Sequence, residues 1–238
     1  MWIANKTLIK KNGERCEMDT DCKNELIDLK FDYAHFKGEA IFAAAQITIN
    51  RGERVNLVAP IGAGKTTLLE ILCGLRKDFC GFVFGEMDRE VVRGFSVSFI
   101  PSAPVLFENK SVKNNLLYAA KVCGASLTDA DFDNLLKTLD CDFDQNIKVK
   151  KLNNTNKQKV AFLRALIKKP DLILIDDLFL NAPTKASQDK ICNLLDSICL
   201  NLNESAVVIA STSALNLKTK FDKILTIENR KIVEINTK

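Results

Sequence analysis

Arg54-Val55-Asn56-Leu57-Val58-Ala59-Pro60-Ile61-Gly62-Ala63-Gly64-Lys65-Thr66-Thr67-Leu68-Leu69-Glu70-Ile71-Leu72 is the stretch from which the architecture of this chain can be built outward. The apolar residues Val55, Leu57 and Val58 predict a buried strand, and Pro60 to Gly64 form a loop of small residues. Lys65 then opens an apolar-striped helix that ends near Gly74. A strand, a glycine-containing loop and a helix joined through Gly64-Lys65-Thr66 are the core of a phosphate-binding P-loop. Gly62 and Gly64 let backbone N–H groups turn toward an anion with no side chain in the way. The helix start adds unpaired N–H groups and the positive end of its dipole. Lys65 supplies a point charge for β- and γ-phosphates, and Thr66 a hydroxyl for Mg2+. The general pattern opens on a glycine where this chain has Ala59. Alanine costs little there at negative φ and adds strain at positive φ.

The 238 residues are 47% hydrophobic, enough for a sizeable core in one large domain or two small ones. A net charge of +4 with dispersed lysines gives no electrostatic footprint for nucleic acid. No apolar run approaches a membrane span and the start lacks a signal-peptide core, so a soluble, cytosolic chain is expected. The eight cysteines include no Cys-x-x-Cys pair, which favours core cysteines over a metal or disulfide framework. Cys192 and Cys199, seven apart in a helical pattern, are expected on one buried face.

Residues 1–24 are polar and without period and read as an extension. Leu29, Phe31 and Tyr33 alternate, and Ile41-Phe42 and Ile47-Thr48-Ile49 follow, so strands are expected from Leu26 to Ile49, with a turn at Arg51-Gly52-Glu53. Phe82-Val83-Phe84 and Val97–Ile100 are short strand candidates. Residues 111–140 and Gln158 to Lys169 read as helical, the latter closed by Pro170. Leu172–Ile175 is a continuous apolar run, as in a parallel strand covered on both faces. Gln188 to Leu202 predicts a helix, Ala206 to Ala210 a buried strand, and Lys223–Ile227 with Lys231–Ile235 a hairpin around Asn229-Arg230. Alternating strands and helices predict an α/β fold with a mostly parallel sheet. Asp176, at the carboxyl end of the Leu172–Ile175 run and downstream of a P-loop, stands where a Mg2+-holding Walker B acid belongs.

From about Leu26 to Ile235 the chain now resembles the ATP-binding subunit of ABC transporters. Ile100-Pro101-Ser102-Ala103-Pro104-Val105-Leu106-Phe107 looks like the family's Q-loop, and Leu152-Asn153-Asn154-Thr155-Asn156-Lys157-Gln158-Lys159-Val160-Ala161 occupies its signature slot. Arg164-Ala165-Leu166, Pro170-Asp171 and Leu172–Asp177 continue in family order, and Ser211-Thr212-Ser213 falls at the switch-histidine strand end. The resemblance implies a P-loop NTPase fold with an N-terminal antiparallel β region and an inserted helical subdomain. It divides the chain into an extension at 1–25 and an ATP-binding domain at 26–238, with the helical part at about 103–165. It implies ATP and Mg2+ as ligands, held by Gly62, Ala63, Gly64, Lys65, Thr66 and Thr67, with Tyr33 stacking on adenine and Thr66 and Asp176 at the metal. The signature residues Asn153 and Thr155 would face a partner's nucleotide, and Asp177 and Ser213 stand in the two catalytic positions. The implied partners are a second ATP-binding subunit, the same chain or another, and transmembrane permease subunits. The implied location is cytoplasmic, peripheral on the inner membrane face through the permease. Val105, Leu106 and Phe107 are candidates to line a groove for a permease helix.

Four departures are readable directly. No Gly follows Gly124, no Glu lies between Glu108 and Glu204, the one His is His35, and no Gln lies between Gln46 and Gln145. The signature slot therefore has no glycine, and the catalytic Glu, switch His and Q-loop Gln are replaced by Asp177, Ser213 and Ser102. Asp177 is one methylene shorter, about 1.5 Å less reach, and a general base acts only within hydrogen-bond distance. Ser213 lacks an imidazole's cationic form. Asn153, Asn154 and Thr155 are good N-cap residues whose side chains can satisfy their own helix start, which would compete with a phosphate, while an Asn amide or Thr hydroxyl could instead donate to it. Pro183 replaces an acid in the segment after Asp177. A homodimer would carry both defects in each composite site, and a heterodimer would split them. The expectation is ATP binding with slow or absent hydrolysis, coupled to dimerisation and a permease; the alternative is a non-catalytic regulatory or structural protein on the same fold. A P-loop enzyme of another family, such as a nucleotide kinase, fits the Pro101 segment and the signature-slot helix poorly.

Overall fold

The computed structural model describes residues 10, 11, 14, 15, 25–36, 39–76, 79–82, 96–167, 169–178, 184–201, 204–215, 217, 218 and 220–235. After a short pair, β1 (Lys10–Lys11) with β2 (Glu14–Arg15), the described chain forms two further sheets. An antiparallel sheet has the order β4-β3-β6, from β3 (Glu25–Phe36), β4 (Glu39–Asn50) and β6 (Phe79–Phe82). The central sheet is built from β5 (Arg54–Val58), β7 (Val97–Ile100), β8 (Leu172–Ile175), β9 (Ala206–Ser211), β10 (Lys223–Glu228) and β11 (Lys231–Ile235). Its order is β11-β10-β5-β9-β8-β7, parallel throughout except for the β10–β11 hairpin. The helices are α1 (Lys65–Leu72), α2 (Val112–Val122), α3 (Asp129–Thr138), α4 (Asn154–Leu166) and α5 (Lys185–Asn201).

Strand side chains alternate between faces, and this explains the unbroken apolar run of β8. Leu172 and Leu174 join a core with Leu57, Val208, Phe42 of β4, and Leu68 and Leu72 of α1. Ile173 and Ile175 join a second core with Val207, Ile209, Leu116 of α2, Phe162 and Leu163 of α4, and Leu195 of α5. The topology thus brings the carboxyl ends of β5, β8 and β9 side by side, where α/β sheets bind their ligands.

Several expected elements shift. The stretch 111–140, read as helical, resolves into two helices. α2 starts at the Ser111 cap, whose hydroxyl accepts the Asn114 N–H, and the chain turns away at Gly124 with φ 71°. α3 restarts at Thr128, which makes a reciprocal capping box with Asp131. The next helix begins at Asn154 rather than Gln158, because Asn153 caps it by accepting the Asn156 N–H at 2.8 Å. It ends at Leu166 rather than Lys169. Lys169 has φ 47°, consistent with the bias that Pro170 imposes against a helical residue before it. The strand expected at 82–84 is found as β6 ending at Phe82, and residues 83 and 84 lie outside the described residues. Cys199 is buried in α5 but Cys192 is half-buried, at the margin of the stripe that Ile191, Leu194, Leu195, Ile198 and Cys199 bury.

The β10–β11 turn has both central residues left-handed, Asn229 at φ 49° and Arg230 at φ 64°. This primed two-residue turn matches the twist of the strands and favours Gly at its second position. Arg230→Gly is therefore expected to raise stability by about 0.5–1 kcal/mol, the left-handed penalty less the added entropy of Gly. Urea unfolding reads this directly, and a midpoint that falls would contradict it.

Candidate functional site

The loop between β5 and α1 is shaped by its glycines. Gly62 (φ 83°) and Gly64 (φ 102°) hold left-handed conformations that a side chain would strain, and Ala63 N donates to Pro60 O at 3.2 Å. Gly64 is also the N-cap of α1 and offers no side-chain cap, so the first N–H groups of that helix stay available. Ala59 is not among the positive-φ residues, so its Cβ brings no backbone strain. It is buried and its N–H donates to Ser211 O at 3.1 Å.

Lys65 curls under this loop. Its Nζ donates to Ala59 O at 2.7 Å and Pro60 O at 3.1 Å and lies 4.0 Å from Asp177 Oδ2. Burial pushes the Lys65 pKa down, opposed by the nearby Asp177 and Asp176 carboxylates. Thr66 Oγ1 donates to Asp176 Oδ2 at 3.0 Å and Oδ1 at 3.2 Å. Asp176 and Asp177 are both buried at the end of β8, where the Asp176 N–H donates to Ile100 O at 2.9 Å.

This donor set fits a magnesium nucleotide. Cis ligands of an octahedral Mg2+ at about 2.0–2.1 Å lie about 2.9 Å apart. A threonine hydroxyl and a carboxylate oxygen 3.0 Å apart are hard ligands at that spacing. A desolvated ammonium beside left-handed glycines and an uncapped helix start suits a polyphosphate.

The other predicted residues fall in different places. Thr67 is half-buried in the first turn of α1. Tyr33 is in β3, its backbone in register with Ala43 and Cys80. Ser213 is exposed just past β9, its carbonyl accepting from Ser211 Oγ at 2.7 Å. Asn153 and Thr155 line a separate pocket of about 320 Å3 with Asp140, Lys159 and Lys190. None of their described hydrogen bonds reaches the Lys65–Asp177 group. Pro183 lies outside the described residues.

A groove of about 320 Å3 opens between β7, α2 and α4. Val105 lines it with Tyr118 and Arg164, whereas Leu106, also a groove candidate in the sequence, packs against the core instead. Phe107 stands beside the groove, edge-to-face with Tyr118 at 4.9 Å and 5.8 Å from the Arg164 guanidinium. Arg164 Nη1 donates to Val105 O at 2.7 Å, and burial pushes its pKa down.

Sequence reasoning missed Asn56 and read Ser211 only as part of a strand end; both are fully buried polar residues beside the loop. The signal available was a lone amide inside the apolar β5 run.

Comparison with known proteins gives a consistent picture. The family described as ABC transporter matches residues 42–179. The chain is 30% identical over 207 residues to the lipoprotein-releasing system ATP-binding protein LolD of Ruegeria sp. (strain TM1040), covering 82% of this chain and 89% of that protein. It is 28% identical over 214 residues to the methionine import ATP-binding protein MetN 2 of Paraburkholderia xenovorans (strain LB400), covering 85% of this chain and 55% of that protein. The chain spans about half the length of several curated relatives it matches, MetN 2 and the Fe(3+) ions import ATP-binding protein FbpC of Escherichia coli among them. Among solved structures, cbiO1 from Clostridium perfringens, part of the ABC transporter complex cbiONQ, superimposes with a TM-score of 0.72 at 17% identity. That match covers 89% of this chain and 88% of the other.

Proposed function

The chain belongs to the ABC transporter family, and from that premise we propose that it binds Mg-ATP and couples ATP-dependent dimerisation, with weak hydrolysis, to transmembrane permease subunits. The observation that carries the reading is the convergence of Lys65, Thr66 and Asp176 at the end of the central sheet. Lys65 and the loop N–H groups of Gly62 to Thr67 would hold the phosphates, Thr66 and Asp176 the metal, and Tyr33 the adenine. ATP supplies the terminal phosphate that a second subunit's signature helix engages. The second subunit is another copy or a related chain, and the groove at Val105, Tyr118 and Arg164 is the surface offered to the permease. Among the described residues no helix is long and apolar enough to cross a membrane, so the permease would supply the bilayer. The location proposed is the cytoplasmic face.

Two features support slow turnover. Asp177 presents a short side chain already placed beside Lys65, and Asn153 spends its carbonyl on the Asn156 N–H. The Asn153 cap also favours a second reading, in which ATP is a ligand that fixes a dimer rather than a fuel.

Titration calorimetry on the full chain tests the proposal. Micromolar binding of Mg-ATP is expected, weakening about tenfold or more when EDTA removes the metal that Thr66 and Asp176 would hold. No heat at millimolar Mg-ATP would overturn nucleotide binding by this chain. Phosphate release measured on the same sample separates weak hydrolysis from the ligand-only reading.

A further inference from the structure

We propose that Asn56 is a positioning residue, and that a buried relay from Asn56 through Ser211 to Ser213 sets the loop that discriminates ATP from ADP. The inference rests on the nucleotide-binding reading above. Asn56 has 0% exposure in the middle of β5, between the apolar Val55 and Leu57. Burying an amide is costly unless it is hydrogen-bonded, and a small apolar residue would fill such a strand position without that cost. All three described hydrogen bonds of the Asn56 side chain go to one segment, the end of β9 and the loop after it. Nδ2 donates to Ile209 O and to Ser211 Oγ, each at 2.9 Å, and Oδ1 accepts from Leu215 N at 3.4 Å.

The relay has a direction. Ser211 Oγ accepts from Asn56, so its own proton is committed onward, to Ser213 O at 2.7 Å. Successive bonds of this kind polarise and strengthen one another in a dry interior. The sheet ladder by itself holds the segment as far as Ser211, which is in register with Val58 and accepts from Ala59 N at 3.1 Å. Beyond it, among the described residues, Thr212, Ser213 and Ala214 make no backbone–backbone hydrogen bond. Among the described contacts, the side-chain relay is what holds them. They are exposed at the carboxyl edge of the sheet, beside the loop that starts at Ala59. In the sheet order β9 lies between β5, which opens the loop, and β8, which leads into Asp176, so a terminal phosphate held by Lys65 and by a metal at Thr66 and Asp176 would face this edge, and the relay would bear on it more than on a diphosphate or base.

The test compares Mg-ADP with the Mg complex of β,γ-imido-ATP by calorimetry on the full chain. In Asn56→Ala and in Ser211→Ala, affinity for the triphosphate is expected to fall about fivefold to tenfold while ADP affinity stays within about twofold. Ser211→Ala removes one hydroxyl and keeps Asn56 bonded to Ile209, so it isolates the relay from the fold. Ser211→Thr, which retains the hydroxyl, is expected to recover the wild-type ratio. A purely structural role would lower both affinities together, or lower only the melting temperature, and either result overturns the relay. A wild-type chain that binds neither nucleotide overturns the underlying nucleotide reading. Normal wild-type binding with an unmoved ratio in Ser211→Ala overturns the relay alone.

Discussion

Lys65→Ala is expected to weaken Mg-ATP binding by at least about 100-fold, roughly 2.7 kcal/mol, while leaving the protein folded. The loss follows from deleting the one ammonium that the loop encloses, with its Nζ 2.7 Å from Ala59 O. No neighbouring cation is described that would take its place near Asp176 and Asp177. Truncation takes the ammonium's hydrogen bonds from Ala59 O and Pro60 O, a cost of about 1–3 kcal/mol for a carbonyl that stays buried, within the total of about 5–15 kcal/mol of a typical domain. Burial lowers the Lys65 pKa, so without nucleotide the site disfavours the charged form. The unfolded chain holds this proton up to about pH 10.4, whereas the folded chain releases it earlier. Over that window the unfolded state binds more protons, so wild-type stability rises with pH relative to Lys65→Ala. Below the folded-state value the penalty is complete, and above the unfolded value it is absent. Bound phosphates reverse the sign by favouring the ammonium, so Mg-ATP binding within the window takes up a proton. Calorimetry in two buffers of different ionisation enthalpy reads that uptake. A Lys65→Ala protein that binds Mg-ATP as tightly as wild type would show that the loop does not work through this side chain.

What the sequence discloses and what it hides divide along the range of the interactions. The loop from Ala59 to Thr66 is legible because its determinants are local: left-handed glycines, a helix start and a lysine within a few residues. The β8 run is legible because both of its faces are covered, which leaves four apolar residues in succession. The split of 111–140 is partly legible, in Gly124 and in the Thr128-x-x-Asp131 box, but the apolar spacing on either side outweighs those signals when read alone. The start of α4 is written in polar residues, Asn153 to Asn156, so a search for apolar periodicity arrives one turn late. Asn56 is illegible for a different reason: its hydrogen-bond partners are 153, 155 and 159 residues away in the chain. An amide in an apolar strand announces that some partner exists. Only the parallel pairing of β5 with β9 says which. The same holds for the groove, since no spacing within residues 105–107 shows that Leu106 turns inward while Val105 stays out.

Phe162→Ala should destabilise the fold by about 3–5 kcal/mol, the range for emptying a fully buried aromatic position, against a total of about 5–15 kcal/mol for a typical domain. Phe162 has 0% exposure in the core shared by β8, β9, α2, α4 and α5. It sits midway along α4, the helix that carries the Asn153 cap at one end and the Arg164 bond to Val105 near the other. α4 is also tied to the sheet edge by Ser98 Oγ, which donates to Ala165 O at 3.0 Å. A cavity at Phe162 therefore loosens the helix connecting the Asn153 cap to the groove without touching Lys65, Thr66 or Asp176. This separation makes the prediction informative about function. Mg-ATP at 100 times its dissociation constant stabilises any folded chain that binds it by about 2.7 kcal/mol. If the loop and α4 are energetically independent, Phe162→Ala gains that increment in full in urea unfolding, whereas Lys65→Ala, weakened at least about 100-fold, gains at most about 0.4 kcal/mol. A Phe162→Ala protein that folds but gains markedly less would show that ATP binding draws on the packing of α4. A destabilisation below about 1 kcal/mol would show that the core around Phe162 closes over the gap, and would refute its role as the anchor of that helix.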